Sequence, residues 1–242
     1  MNLCIDQGNS STKVGIFDQQ VLVDNFSYNF FGQNEISTLF NNYCIDSCIL
    51  SSVIAENSAL ISELQSMTLN FIELSHLTLL PIENRYKTPQ TLGKDRLAAV
   101  VGANFIKPNT DLLVIDAGTA ITYDFIDANS VYLGGNIAPG YTMRLRALHE
   151  FTQKLPLVEE KLESPLLGND TQSAIVSGAL HGILFEIDGY INTLKIKYPQ
   201  LSTFLTGGST FYLNTKLKNA IFAEKKLVLI GLNRILQYNV QK

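Results

Sequence analysis

Two short stretches hold the residues best suited to chemistry. One is Asp6-Gln7-Gly8-Asn9-Ser10-Ser11-Thr12-Lys13, and the other, close to half the chain later, is Asp116-Ala117-Gly118-Thr119-Ala120-Ile121-Thr122. Each is an aspartate, one residue, a glycine, then small hydroxyl or amide residues. Each follows a short apolar run, Leu3-Cys4-Ile5 or Leu112-Leu113-Val114-Ile115. A strand that ends in a carboxylate and turns on a glycine leaves backbone N–H groups and hydroxyls free to face an anion. Two such turns facing each other would grip a polyphosphate from both sides, and the carboxylates could hold its metal or counter-cation.

The elements that must position these turns can be read from the pattern. Residues 2–6, 13–17 and 21–28 read as an antiparallel meander with the first glycine turn at its corner. A helix over 35–43, a strand over 47–53, a helix over 57–67 and a strand over 70–74 follow. Residues 81–92 read as a loop, with Tyr86 between Pro81 and Pro89. A helix over 92–105 ends at Pro108, where the domain boundary is placed: 1–108 and 109–242. The second half repeats the plan, with strands over 112–116, 120–126 and 131–136 around the second turn. Gly134 to Gly140 reads as a close-approach loop. Helices over 142–152 and 171–197, an extended 155–160, and a strand over 203–205 leading into Thr206-Gly207-Gly208-Ser209 come next. A strand over 228–230 and a helix over 232–238 close the chain. The repeat is domain-sized, which indicates an internal duplication rather than a solenoid.

The 242 residues are 46% hydrophobic and 17% charged, with a formal net charge of −4. That is ordinary for a globular chain and argues against a general nucleic-acid binder, whose footprint would be basic. The N-terminus enters a strand pattern at once, so no signal peptide is expected. No apolar run approaches the roughly 18 residues of a membrane span. Cys4, Cys44 and Cys48 are expected to be buried free thiols in a reducing cytoplasm; a zinc pair at Cys44 and Cys48 would lack a second ligand pair at a usual spacing.

Seven segments in order resemble the type III pantothenate kinases of the actin/hexokinase/Hsp70-type phosphotransferase superfamily. They are Asp6-x-Gly8-Asn9-Ser10-x-x-Lys13; Tyr86 before Pro89 with Leu92-Gly93-x-Asp95-Arg96; Asp116-x-Gly118-Thr119-Ala120-x-Thr122; Gly134-Gly135-x-Ile137-x-Pro139-Gly140; Ala147-Leu148-His149 ahead of Leu155-Pro156; Asn169-Asp170-Thr171-x-x-Ala174-Ile175; and Thr206-Gly207-Gly208. The resemblance implies an α/β fold of two duplicated ribonuclease-H-like, actin-like ATPase domains with mixed sheets and an interdomain cleft. It implies ATP-dependent phosphorylation of pantothenate to 4'-phosphopantothenate, the first step of coenzyme A biosynthesis, in a cytoplasmic homodimer with no membrane or nucleic-acid partner. Asp6, Gln7, Gly8, Asn9, Ser10, Ser11, Thr12, Lys13 and Thr119 would bind ATP. Tyr86, Gly93, Lys94, Asp95, Arg96 and Thr171 would bind pantothenate, Thr171 across the dimer interface. Asp95 would be the proton acceptor. Asp116 would bind K+ or NH4+, and Asp6 would help hold Mg2+, through water. Chemistry agrees: phosphoryl transfer needs in-line oxygens, neutralised charge and a base near the attacking hydroxyl. Arg96 can pair in bidentate fashion with the pantothenate carboxylate.

Departures from the family pattern are few. Ser10 stands where threonine is commoner, and Lys94 fills a place where small or apolar residues are common, where it could crowd or bias the site. Each residue also has a bland reading. Asp6 could end a strand, Tyr86 could pack a loop, Thr171 could cap a helix, and His76, His149 and His181 could be structural. Ala174, Gly178 and Gly182 recur every four residues, which fits close packing within the chain or a two-fold seam. The competing functions are another sugar or small-alcohol kinase of the superfamily, which would lack the Gly-x-Asp-Arg and Tyr86 set, and a non-catalytic transcription-accessory relative.

Overall fold

The computed structural model describes residues 1–54, 57–208 and 213–240. They divide into two compact units. The first holds Met1–Asn109, Asn129–Leu133 and the C-terminal helix; the second holds Thr110–Ala128 and Gly134–Lys225.

In the first unit, β1 (Asn2–Gln7), β2 (Thr12–Asp18), β3 (Val21–Tyr28), β4 (Ser47–Ser52) and β5 (Asn70–Glu73) form one sheet in the order β3-β2-β1-β4-β5. β1 is antiparallel to β2 and parallel to β4, which is parallel to β5. β1 and β4 are buried along nearly their whole length because both faces of the sheet are covered there. Leu3, Ile5, Cys48 and Leu50 pack with α1 (Gln33–Asn42) and α2 (Ser58–Met67). β3, at the edge, alternates exposed with half-buried residues.

The opposite face is covered by α3 (Lys94–Ile106) and α6 (Leu227–Val240). These helices cross backbone to backbone. A Cβ on Gly231 would overlap the Ala98 carbonyl oxygen, and one on Gly102 would overlap that of Leu227. The sequence expectation of a strand over 228–230 is corrected here. Val228-Leu229-Ile230 is apolar and two of its residues are β-branched, but it lies in the first turn of a helix buried on most sides, so the 3.6-residue period is masked. The same packing places 226–240 in the first unit, not in a second domain beginning at 109.

In the second unit, β7 (Leu112–Ala117), β8 (Ala120–Ile126), β9 (Val131–Pro139), β10 (Ser202–Thr206) and β11 (Phe222–Ala223) run in the order β9-β8-β7-β10-β11. β7 is antiparallel to β8 and parallel to β10. This is the order of the first sheet, strand for strand, so the duplication is a duplication of topology. The first residues of β9 belong to the first unit, where Val131 and Tyr132 pair with β6 (Glu83–Asn84), a short strand inside the stretch expected to be loop. Residues 134–139 continue as strand, not loop, and Gly135 is needed because a Cβ there would overlap the Tyr123 carbonyl.

The core of this unit lies between β7, β8 and β10 and the long helix α5 (Thr171–Lys197), with Ile183, Ile187 and Ile191 fully or almost fully buried. α5 is long and apolar enough by composition to cross a membrane, with a mean hydropathy of 1.3 over its most apolar window. Yet 56% of that window is buried within the protein. α4 (Tyr141–Glu150) packs on α5 around Leu145, Ile175 and Ala179. Of the cysteines, Cys4 and Cys48 are buried and burial pushes both thiols up; Cys44 is exposed, against expectation.

Candidate active site

The first glycine turn forms as its sequence demands. Asp6 pairs with Lys13 and Gln7 with Thr12 at the end of the β1–β2 ladder. The Gly8 N–H then donates to the Ser11 carbonyl at 3.1 Å, closing the corner. Asp6 is 7% exposed at the strand end, while Asn9 and Ser10 are exposed and Lys13 is half-buried. Gln7 is fixed from β4, its Oε1 accepting from Ser52 Oγ at 3.0 Å and its carbonyl from the Val53 N–H at 3.1 Å. A cavity of about 260 Å³ opens on the turn, lined by residues 7–12 with Asn29, Phe31 and Asn57.

Asp95 stands in the first turn of α3. Gly93 offers this helix no side-chain cap, and the acid in the first turn, Asp95, takes that role. Asp95 Oδ1 accepts the Arg96 N–H at 2.9 Å. The Gly93 Cα sits so close that a Cβ would lie 2.6 Å from that same oxygen. Arg96 is 5% exposed. Its Nη2 donates to the Tyr132 hydroxyl at 3.3 Å, and its guanidinium lies over the Tyr86 ring at 5.8 Å. Tyr86 and Tyr132 stack, 6.1 Å apart and 20° from parallel. The structure thus brings Tyr86, Gly93, Asp95 and Arg96 together.

It adds Tyr132, which the sequence reading passed over. Its only signal was an aromatic residue in an otherwise small and aliphatic strand opening. Lys94 lies on the side of α3, its Nζ 3.8 Å from Glu73 Oε1. With Gln7, Ser52 and Asn57 it lines a polar cavity of about 190 Å³.

In the second unit Asp116 pairs with Thr122 on β8 and with Thr206 on β10, and the Gly118 N–H closes the turn onto the Ala120 carbonyl at 3.1 Å. Gly118 and Thr119 are exposed. Gly140 supports the turn from below, its N–H donating to the Thr119 carbonyl at 3.1 Å. Gly207 adopts φ +94°, a conformation that favours glycine. A Cβ there would collide with the Asp116 carboxylate and lie 2.6 Å from the Ala117 carbonyl. An apolar cavity of about 310 Å³ adjoins this point, lined by Gly118, Ile121, Tyr141, Leu180, Gly208 and Leu213 among others. Ser209, in the expected Gly-Gly turn, lies outside the described residues.

Thr171 departs from its capping reading, and two histidines keep their structural one. Thr171 does not cap α5; it is the first helical residue and is exposed. The cap is Asp170, whose carboxylate accepts the Ser173 N–H at 3.0 Å and its hydroxyl at 2.7 Å. The Ser173 backbone first, then its hydroxyl, hold that carboxyl below the usual range. His149 Nδ1 donates to the Leu155 carbonyl at 2.8 Å and His181 Nε2 to that of Ser164 at 3.2 Å, both structural uses.

A family model described as type III pantothenate kinase matches residues 2–193. The type III pantothenate kinase of Phocaeicola vulgatus is 52% identical over 239 residues, covering 99% of each chain. Among solved structures, a Campylobacter jejuni protein described as a conserved Baf family transcriptional activator is 25% identical, with a TM-score of 0.61 over 99% of this chain and 100% of that one. A glucokinase from an Antarctic psychrotroph, 12% identical with a TM-score of 0.51 over 98% of each chain, shares the fold alone.

Proposed function

This chain belongs to the type III pantothenate kinase family, and we propose that Asp95 is the base for its reaction. The reaction is ATP-dependent phosphorylation of pantothenate, which yields 4'-phosphopantothenate and ADP on the way to coenzyme A. The primary hydroxyl attacks the γ-phosphorus; its proton passes to the Asp95 carboxylate, and the bond from phosphorus to the bridging oxygen of ADP breaks. The observation that carries this reading is the Gly93–Arg96 corner. A carboxylate is held by a helix start beside a buried guanidinium, which two tyrosines keep in one orientation. Arg96 is suited to the pantothenate carboxylate. Tyr86 borders the same substrate, and Gly93 and Lys94 complete the segment.

Residues Asp6 to Lys13 and Thr119 take the phosphates of ATP. The apolar cavity beside Gly118 and Gly208 takes the adenine ring, which needs a flat, mostly apolar slot. Among the described residues no cluster of three or more His, Cys, Asp or Glu could hold a metal ion. Magnesium keeps several waters and leans on substrate phosphates with one or two carboxylates, and Asp6, at the end of β1, would be the carboxylate. Asp116, whose carboxylate shares the space beside Gly207 with the Ala117 carbonyl, fits K+ or NH4+. These cations would neutralise charge on the transferring group.

We also propose a cytoplasmic homodimer, with no membrane or nucleic-acid partner. Ala174 and Gly178 lie exposed on α5, and an apolar groove of about 450 Å³ runs between α4 and α5, bordered by Leu148, Phe151 and Gly178. Phe151 is 86% exposed there. Thr171, exposed on the same helix, would reach the partner's pantothenate.

The test is ADP release with Mg2+ and K+, offering pantothenate against a panel of sugars, for the parent and Asp95→Asn. Turnover with pantothenate alone, lost in the variant, is expected. Equal turnover with a sugar would favour another kinase of the superfamily. Absence of turnover with any acceptor would favour a regulatory role.

A further inference from the structure

The buried side of α5 is mostly apolar, yet Asp188, Asn192 and Lys195, spaced four and three apart, share one face of it. All three converge on Asn219. Asp188 is buried, and its carboxylate accepts the Lys218 and Asn219 backbone N–H groups at 3.2 Å each and the Asn219 side-chain amide at 2.8 Å. The same amide reaches Asn192 Oδ1 at 3.1 Å, and Lys195 Nζ donates to Asn219 Oδ1 at 2.8 Å. Asn219 therefore spends both ends of its side chain and its backbone N–H on one helix.

The anchored segment ends at a wall of the apolar cavity. The N–H groups of Lys216 and Leu217 both donate to the Leu213 carbonyl, at 3.0 and 3.1 Å, so residues 213–219 form a short closed turn. Leu213 is buried and lines the cavity with Gly118 and Gly208. Leu217 and Ile221 already hold the turn to the core by burial. The added polar clip removes freedom of position, because charge-assisted hydrogen bonds are directional where apolar contacts are not.

We propose that Asp188 and Asn219 are positioning residues for the nucleotide: they lock the 213–219 turn so that Leu213 stands as a fixed wall of the base-binding cavity. This rests on the reading above that the cavity receives the adenine ring. With the wall preset, the cost of ordering it falls on folding, not on nucleotide binding.

The test uses the full chain and three variants: Asn219→Ala, Lys195→Met as a milder break of the same clip, and Gly208→Val, which fills the cavity directly. Steady-state constants for ATP and for pantothenate are measured, with equilibrium binding of a non-hydrolysable ATP analogue. The expected result for Asn219→Ala is about a tenfold rise in both the KM for ATP and the analogue Kd, equivalent to ~1.4 kcal/mol. Its kcat and its KM for pantothenate stay within about twofold, and Lys195→Met shifts the same constants less far. If Gly208→Val weakens nucleotide binding and neither clip variant does, the clip does not act on the cavity and the proposal is wrong. A uniform loss of kcat and both affinities with a lowered Tm would reduce the clip to a structural fastening. If Gly208→Val also leaves nucleotide binding unchanged, the base does not occupy this cavity, and the underlying reading fails first.

Discussion

Gly93→Ala isolates the position of one oxygen atom. The new Cβ would lie 2.6 Å from Asp95 Oδ1, and separations under 3.0 Å are essentially never seen. The carboxylate must therefore retreat by at least about 0.4 Å, and by about 0.8 Å to reach an ordinary contact. It can do so by rotating, because it is the free end of a side chain. The backbone will not object, since φ −55° and ψ 127° suit any L residue. Folding should even gain slightly, as alanine narrows the unfolded ensemble by roughly 0.4–1 kcal/mol. Catalysis should suffer, because a misplacement near 1 Å costs up to about 100-fold. We expect kcat to fall about 10- to 100-fold, or ~1.4–2.7 kcal/mol of barrier, with Tm unchanged or raised by a few degrees. Coupled ADP-release kinetics and a thermal melt read both. Asp95→Asn alone should cost about 10²- to 10⁴-fold. In that background Gly93→Ala should add almost nothing, since both changes act on one atom. A Gly93→Ala enzyme within twofold of the parent kcat, or fully additive losses in the double variant, would refute the placement of the base.

Other outcomes follow from the same geometry. Arg96→Lys removes the planar fork that Tyr86 and Tyr132 orient, so the KM for pantothenate should rise about tenfold, with a smaller change in kcat, in steady-state assays. Gly231→Ala drives a methyl into the Ala98 carbonyl and should destabilise the fold by about 1–3 kcal/mol, read by urea or thermal unfolding. Asp170 has a depressed folded-state pKa, so its contribution to stability is present above the unfolded carboxyl value and is lost as pH falls through the lower folded one. Asp170→Asn should flatten the stability profile below about pH 4, measured by acid-titrated thermal melts.

The two glycine turns were legible because a short motif dictates them: an apolar strand, a carboxylate, a glycine and small polar residues give a hairpin corner wherever they occur. The Gly93–Arg96 corner was legible as a motif but not as a geometry. Its aromatic support comes from Tyr132, far along the chain, and no local pattern announces that pairing. α6 was misread for an energetic reason. A helix buried on most sides needs no polar stripe, so Val228-Leu229-Ile230 offers only an apolar run, two of its three residues β-branched, to a reader of periodicity. The cap of α5 went to Asp170, not Thr171, because the Ncap lies one residue outside the helix, and a one-residue error in the boundary changes which side chain is assigned to it. Cys44, expected to be buried on the strength of its apolar neighbours, follows the end of α1 and is exposed.

The covering of the first sheet by α6 also orders events during biosynthesis. Every strand of the first sheet is made early, yet the helix that shares its second face with α3 is the last element of the chain, so residues 227–240 reach that face only as synthesis ends. The corner bearing Asp95, at the start of α3, therefore gains the backing of α6 only with the closing turns of the chain. A released chain that ends short of Leu227 should have a protease-sensitive N-terminal unit, because one face of its sheet lacks α6.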